Sequence, residues 1–146
     1  MRPTFAPRTP DYDQRVRESF GKQGVMRHLG AELTLLDAGY AEVRLPYRPE
    51  FGQQHGFFHA GIISTAADSA GGCAAMSLFP PGSDVVAVEF KVNFMEPAKG
   101  EAIVARAQVL RTGRISTVSI DVAVQSGDDE RLCATMLQTA ARVPAG

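Results

Sequence analysis

The chain contains one long stretch of small and apolar residues, AGIISTAADSAGGCAAMSLF, which runs from Ala60 to Phe79 and stops at Pro80. Its length and alanine content predict a helix, although Gly71 and Gly72 weaken the helix propensity locally. Apolar residues occur around nearly the whole circumference, which is typical of a helix enclosed by other structure. Small side chains also allow other backbone to approach closely. The stretch therefore predicts a central helix wrapped by a β-sheet.

One charged residue, Asp68, lies near the middle of this helix. A charge at that position costs roughly 3 kcal/mol on membrane-insertion scales, which argues against a membrane span. A charged side chain halfway along a buried helix is rarely there for packing. We therefore expect a functional carboxylate whose pKa is raised by desolvation, with a hydrogen-bonding role inside the helix as the alternative.

The segment before this helix divides into an arm, a first helix and a hairpin. Three prolines in residues 1–10 predict a loose, flexible arm. Residues 11–20 predict a helix with Asp11 as its N-cap, ended by Gly21 and Gly24. Two strand patterns, residues 32–37 and 40–45, flank Ala38-Gly39 and predict a β-hairpin.

Four strand patterns follow the long helix, and we expect them to form a meander. They cover Val85 to Met95, Glu101 to Leu110, Ile115 to Gln125 and Arg131 to Val143. In the first of these, alternation places the following apolar residues on one face: Val86, Val88, Phe90, Val92 and Phe94. The order of elements predicts an α+β fold in which one antiparallel β-sheet curls around one central helix.

Composition restricts the classes of partner. The 146 residues are typical of one domain, which we place at residues 11–146. Lys and Arg number 15 against 16 Asp and Glu, so the formal charge is -1 and nothing favours nucleic acid or an anionic membrane. Cys73 and Cys133 lack metal-ligand spacing and predict reduced buried thiols in a cytoplasmic protein. No apolar run of signal-peptide length indicates export, and no metal or other cofactor is indicated.

The loop EFGQQHGFFHAG, residues 50–61, together with Asp68 resembles the PaaI-type branch of hotdog-fold thioesterases. Gln53 stands six residues before His59 and Asp68 nine residues after it, as in the family pattern. The later stretch VNFMEPA, residues 92–98, resembles the family's strand and its Pro-Ala turn. The likeness spans roughly residues 33–143. It implies the hotdog fold, a sheet wrapped around a long central α-helix, and hydrolysis of acyl-CoA thioesters.

Two positions depart from the family pattern. Ala60 stands where the family has its first glycine after the histidine, and it still presents a backbone N–H. Ala87 stands where some members place a Ser or Thr that holds the attacking water. The second departure leaves the positioning of water, and with it the substrate class, open.

The chemistry implied by the resemblance needs a base or nucleophile and hydrogen-bond donors for the thioester oxygen. Asp68 is the predicted catalytic carboxylate, either activating water or attacking the carbonyl itself. The N–H groups of Ala60 and Gly61 lie at the helix start without intrahelical partners and suit a developing oxyanion, with an ordinary flexible helix entry as the alternative. Gln53 is a candidate further donor, with a plain loop amide as the alternative. His59 is a candidate substrate-binding residue, but we favour a hydrogen-bonded structural role at the loop–helix junction.

The remaining candidate residues concern substrate binding. Phe57 and Phe58 are expected to line the acyl or pantetheine channel, with core anchoring as the alternative. Arg111 and Arg114 bracket the turn before the third of the four strands and suit the phosphates of coenzyme A, with solvated turn charges as the alternative.

The spacing between Gly61 and Asp68 bears on assembly. Seven residues of helix span about 10.5 Å, a gap that one carbonyl and one water barely bridge. Two helices packed antiparallel across a twofold axis bring the Asp68 of one copy near the Gly61 of the other. We therefore predict a homodimer with shared active sites, assembled further into a homotetramer. A non-catalytic acyl-CoA-binding or sensing domain, and a hotdog dehydratase or hydratase, remain the rival functions.

Overall fold

The computed structural model describes residues 2–146, and it contains three α-helices and one six-stranded antiparallel sheet. The helices are α1 (Tyr12–Lys22), α2 (Gly24–Leu29) and α3 (Ala60–Met76), with a short 3-10 turn at Pro49–Phe51. The strands are β1 (Glu32–Asp37), β2 (Tyr40–Pro46), β3 (Ser83–Phe94), β4 (Ala102–Arg111), β5 (Ile115–Ser126) and β6 (Asp129–Pro144).

The sheet curls around α3, so the predicted α+β hotdog architecture is confirmed. Helix α3 contacts all six strands, and its alanines at positions 66, 67, 70 and 74 are fully buried. These small side chains let the helix lie close to the sheet, as the sequence predicts. Residues 77–79, which the sequence assigns to the helix, form a turn instead. In the described part of the chain, residues 2–146, no helix is long and apolar enough to cross a membrane.

The N-terminal region differs from the prediction in two ways. Helix α1 does not end at Gly21 but continues through it to Lys22, because Gly21 does not adopt the positive φ of a glycine that ends a helix. A second helix, α2, then begins at Gly24, where the sequence predicts an end. It stops at Gly30, whose φ of 70° lies in the left-handed region that glycine adopts readily. The flexibility of the arm stays a prediction, although Phe5 packs against the core.

The hairpin of β1 and β2 is confirmed, with Gly39 at φ 78° in its turn. In β2 the alternating residues Ala41, Val43 and Leu45 are fully buried. The period-2 pattern therefore identifies the inward face of this strand correctly.

The position of β3 in the sheet contradicts the predicted meander. The strand order is β1-β2-β4-β5-β6-β3, so only β4, β5 and β6 follow each other as neighbours. β3 pairs with β6 at the far edge, and the chain must then return across the sheet to β4. One side of β3 therefore has no partner strand within residues 2–146.

A β-bulge in β3 changes which residues share a face. Ala87 lies opposite Ala140 and Glu89 lies opposite Thr139, so Val88 is an extra residue between them. The prediction that Val86 and Val88 share a face with Phe90 is wrong, because one inserted residue shifts the alternation. The bulge keeps Ala87 on the inner face, beside α3.

Candidate active site

Asp68 lies on α3, half-buried, at a cavity of about 230 Å³. The other walls of this cavity come from α1 and the α1–α2 junction, from the start of β3, and from β6. They include Ser19, Gln23, Asp84, Ala87 and Gln138. The α1–α2 wall is tied to α3 by a hydrogen bond from Ser69 Oγ to Gln23 Oε1 at 2.9 Å. The Asp68 carboxylate therefore lies in a cavity between the N-terminal helices and the strands β3 and β6.

The pKa of Asp68 is raised above its ordinary value of 3.8, mainly because burial penalises the ionised carboxylate. A hydrogen bond donated by Gln138 opposes this by stabilising the ionised form. The predicted desolvation of Asp68 is therefore present. A carboxylate with this shift can accept a proton more readily than an exposed one.

The start of α3 differs from the prediction at Gly61. His59 is the N-cap of α3, and its Nδ1 accepts a hydrogen bond from the Gly61 N–H at 2.9 Å. The expectation that both amides are free is thus wrong for Gly61, because the imidazole satisfies it. The Ala60 N–H has no hydrogen-bond partner within residues 2–146. His59 holds the junction between loop and helix, which is the role favoured from sequence.

Gln53 lies in the loop before α3 and organises that loop. Its Oε1 accepts hydrogen bonds from the backbone N–H of His55 at 2.6 Å and of Phe57 at 3.2 Å. Its Nε2 donates no hydrogen bond inside the described range 2–146. The loop thus uses the carbonyl end of this amide and leaves the donor end available.

A second cavity, of about 430 Å³, collects the residues around the start of α3. Gln53, Phe57, Phe58 and Ala60 line it, together with Ile63 and residues 94–98. Phe58 is also buried in the core, with its ring edge-on to that of Tyr47 at 5.0 Å between centroids. Phe58 therefore lines this cavity and also anchors the core, while its contact with an acyl or pantetheine group stays a prediction.

The residues predicted for one site are thus divided between two cavities in a single chain. Asp68 lines one of them and Ala60 lines the other. The two residues are eight positions apart on one helix, which corresponds to about 12 Å along its axis. One copy of the chain does not bring the carboxylate and the free amide to the same cavity.

The predicted phosphate-binding arginines lie at the end of the sheet where β4 turns into β5. Arg114 lines a further cavity of about 400 Å³ with Ser83 and Arg142, and its backbone oxygen accepts a hydrogen bond from the Arg142 N–H at 2.8 Å. Arg111 does not line this cavity. Arg142, which sequence reasoning missed, is brought beside Arg114 only by the pairing of β5 with β6.

The two cysteines are free and buried, which confirms the predicted reduced thiols. Burial raises the pKa of Cys73 to about 12 and that of Cys133 to about 11, so neither thiol forms a thiolate readily at neutral pH. In residues 2–146 no three His, Cys, Asp or Glu side chains are arranged to hold a metal ion.

Gln138 and Gln23 are among the residues of the Asp68 cavity that sequence reasoning missed. Gln138 carries a signal, because the inward row Ala134, Met136, Gln138, Ala140 on β6 contains one polar side chain among apolar ones. Gln23 carries none, since it lies between two helices that sequence patterns do not separate correctly.

Residues 55–133 match the family described as the Thioesterase superfamily. The match covers more than half of the 146 residues, so the chain belongs to the thioesterase superfamily. Its class of activity is thioester hydrolysis.

Individual relatives agree with this assignment. A thioesterase family protein from Silicibacter pomeroyi, known from a crystal structure, is 44% identical and superposes with a TM-score of 0.90, covering 92% of this chain and 99% of that one. The proofreading thioesterase EntH of Klebsiella pneumoniae is 28% identical over 80% of this chain and 84% of that protein. The PaaI protein of E. coli, from the phenylacetic acid degradation operon, shares the fold with a TM-score of 0.82 at 20% identity, covering 92% and 95%. The predicted resemblance to PaaI-type hotdog thioesterases is confirmed.

Proposed function

We propose that the chain hydrolyses acyl-CoA thioesters at sites shared between two copies, with Asp68 as the catalytic carboxylate. The observation that carries the proposal is the half-buried carboxylate of Asp68, with its raised pKa, at a cavity inside a thioesterase fold. Such a group accepts a proton from water more readily than an exposed carboxylate, because its pKa is raised. The water oxygen adds to the thioester carbon as its proton passes to Asp68. The tetrahedral intermediate then breaks its C–S bond, and the protonated Asp68 returns the proton to the departing thiolate of coenzyme A. Direct attack by Asp68 on the carbonyl is the alternative route.

The oxyanion formed in this step needs donors at a helix start. The Ala60 N–H supplies one, supported by the positive end of the α3 dipole and by its freedom from other partners. Gln53 Nε2 supplies a second, because only its Oε1 is used by the loop. The Gly61 N–H is not one of the proposed donors, because it donates to His59 Nδ1 at 2.9 Å.

Sharing of sites between copies is supported by the free surface beside α3. The unpaired edge of β3 exposes apolar side chains, of which Val86, Val88, Phe90 and Phe94 are between 43% and 58% exposed. Long apolar edge strands rarely remain unpaired. Antiparallel pairing of two β3 edges continues the sheet and sets the two α3 helices side by side, head to tail. Asp68 of one copy then meets Ala60 of the other.

A homotetramer built from two such dimers is part of the same proposal. Leu132 and Leu137, on the outer face of β6, are 48% and 51% exposed and offer a second apolar contact. Light scattering coupled to size exclusion measures the mass directly. A monomer at micromolar concentration contradicts both the tetramer and the shared site.

For the leaving group we propose coenzyme A, held through its phosphates at the β4–β5 turn. Arg114 and Arg142 line one cavity, Arg111 lies at the same turn, and none of the three forms a salt bridge within residues 2–146. Guanidinium groups without carboxylate partners remain available to phosphate oxygens. The buried free thiols support a cytoplasmic location, where thiols stay reduced.

The test of acyl-CoA hydrolysis is thiol release from a panel of short, medium and aromatic acyl-CoAs by the wild-type protein. We expect turnover of at least one of them and no consumption of enoyl-CoA by hydration. Binding of acyl-CoA without turnover contradicts the proposed enzymatic activity and favours a sensing domain. Ala87 is compatible with a sensing domain, because it supplies no hydroxyl group to hold the attacking water. Hydration of an enoyl-CoA favours the dehydratase class.

Mixing two inactive variants tests the shared site. Asp68→Asn and Ala60→Pro chains are unfolded together and refolded, so that about half of the dimers contain one chain of each kind. Each mixed dimer has one doubly damaged site and one intact site if sites are shared. We therefore expect about a quarter of the wild-type rate. The separately refolded variants serve as the control, and a mixture no more active than they are contradicts sharing.

A further inference from the structure

Gln138 is a buried polar side chain that packing does not explain. It lies on the inner face of β6, 1% exposed, in a row with the apolar residues Met136 and Ala140. Its Oε1 has no hydrogen-bond partner within residues 2–146. An unpaired buried acceptor costs stability that a leucine of similar size would avoid. The stability lost at Oε1 suggests that Gln138 has a role at the other end of its amide, the Nε2 group.

That other end binds Asp68 twice. Gln138 Nε2 donates to Asp68 Oδ1 at 2.7 Å and to the Asp68 backbone oxygen at 3.1 Å. The shorter distance is typical of a hydrogen bond to an ionised group. The pair of bonds fixes the rotation of the carboxylate relative to its own helix. It occupies Oδ1, whereas Oδ2 accepts no hydrogen bond within residues 2–146.

Gly71 makes this approach possible. A Cβ at this position would lie 2.1 Å from Gln138 Oε1 and 2.8 Å from its Cδ, so any side chain here displaces the amide. The neighbouring Gly72 has no such restriction, because its Cβ would meet only Val85 Cγ1, at 3.7 Å. Of the two glycines that weaken the propensity of α3, one is required by a contact with Gln138.

We propose that Gln138 is a positioning residue that holds the Asp68 carboxylate in the orientation needed for thioester hydrolysis. Gly71 leaves the space in which the Gln138 amide approaches α3. This positioning role rests on the proposed function of Asp68. The charged form is favoured by the donated hydrogen bond and opposed by burial. The other titratable groups at the cavity are Cys73 on α3 and Asp84 on β3, while α1 contributes Ser19 and β6 contributes only Gln138 and Ala140. Gln138 is therefore the neighbour that stabilises the ionised form.

The first test replaces Gln138 by methionine, which keeps the volume of the side chain and removes the donor. The pKa of Asp68 is measured by ¹³C NMR of the carboxyl carbon, assigned by its loss in Asp68→Asn. Loss of a hydrogen bond to the ionised form is expected to raise that pKa by about one unit. In the active enzyme, the pH at which kcat/KM falls on the acidic side is expected to rise by the same amount. The decrease in kcat is expected to be larger than the change in KM.

The second test displaces the Gln138 amide by a substitution at Gly71 and leaves Gln138 itself unchanged. Gly71→Ala is expected to raise the pKa of Asp68 as the methionine variant does, whereas Gly72→Ala is expected to leave that pKa where it is. In the double variant Gly71→Ala with Gln138→Ala, the clash is gone. Its Asp68 pKa is expected to equal that of Gln138→Ala alone, which shows that Gly71 acts through Gln138.

The outcomes separate this inference from the proposed function. Folded Gln138→Met and Gly71→Ala variants with the wild-type pKa of Asp68 overturn the positioning role, whatever their activity. A drop in kcat with an unmoved acidic limb also overturns it and assigns Gln138 to packing alone. If the wild type hydrolyses no acyl-CoA while the variants still show the shifted pKa of Asp68, the proposed substrate is wrong and the contact between Gln138 and Asp68 stands.

Discussion

Asp68→Asn is expected to lower kcat for thioester hydrolysis by about 10²- to 10⁴-fold, the range associated with removal of a general base. The asparagine has the same shape and can still accept the hydrogen bond from Gln138 Nε2 at Oδ1. It cannot accept a proton from water, and it is a poor nucleophile. Because a half-buried charge is removed, we expect the variant to be at least as stable as the wild type.

Initial rates of thiol release and thermal unfolding of the same sample measure both expectations. Asp121→Asn is a matched control, since Asp121 lies on the opposite face of the sheet, where it accepts a hydrogen bond from Thr135 Oγ1 at 3.0 Å. We expect this control to keep the wild-type rate. An Asp68→Asn protein that retains more than a tenth of the wild-type kcat removes Asp68 from the mechanism.

The pH dependence follows from the same carboxylate. Its pKa is raised, so the ionised and active form is lost as the pH falls through a value above 3.8. We expect kcat/KM to fall on the acidic side with a single ionisation that is absent from the residual rate of Asp68→Asn. An acidic limb that persists in the variant assigns the ionisation to another group.

Ala60→Pro is expected to lower kcat by about 10²- to 10³-fold, the effect of losing one oxyanion donor. Ala60 is the first residue of α3, where proline is well tolerated because its missing N–H has no helical partner. The preceding residue, His59, has φ -62° and ψ 137°, an extended conformation that a following proline accepts. The substitution therefore removes the proposed donor without a reason to disturb the helix.

Steady-state kinetics and the far-UV circular dichroism of this variant give the measurement. Ala60→Ser changes the side chain and keeps the N–H, so it is expected to lose much less activity than the proline variant. Equal loss in the two variants indicates that the side chain matters rather than the donor. A proline variant with the wild-type kcat contradicts the proposed oxyanion site.

Most of the fold follows from local patterns. The span of α3, the β1–β2 hairpin and the positions of β4 to β6 all agree with the periodicity of their residues within a few positions. The first helix is less well predicted, because a glycine ends a helix where its backbone takes a positive φ, which Gly30 does and Gly21 does not. The candidate site divides in the same way. Asp68 is conspicuous in sequence as a charge inside an apolar helix, whereas the capping of Gly61 by His59 depends on a side-chain rotamer.

The sequence by itself determined a central helix of small residues that carries one carboxylate, and a set of strands whose inward faces it predicts outside the bulge of β3. Both follow from interactions between residues close in the chain. Only the tertiary structure decided that β3 lies at an open edge, that Val88 forms a bulge, and that Asp68 and Ala60 line separate cavities. Likewise, Gln138 and Asp68 are 70 positions apart, and they meet only because β6 packs against α3 where Gly71 leaves room. Strand order and such contacts depend on pairings between distant segments, which no local pattern specifies.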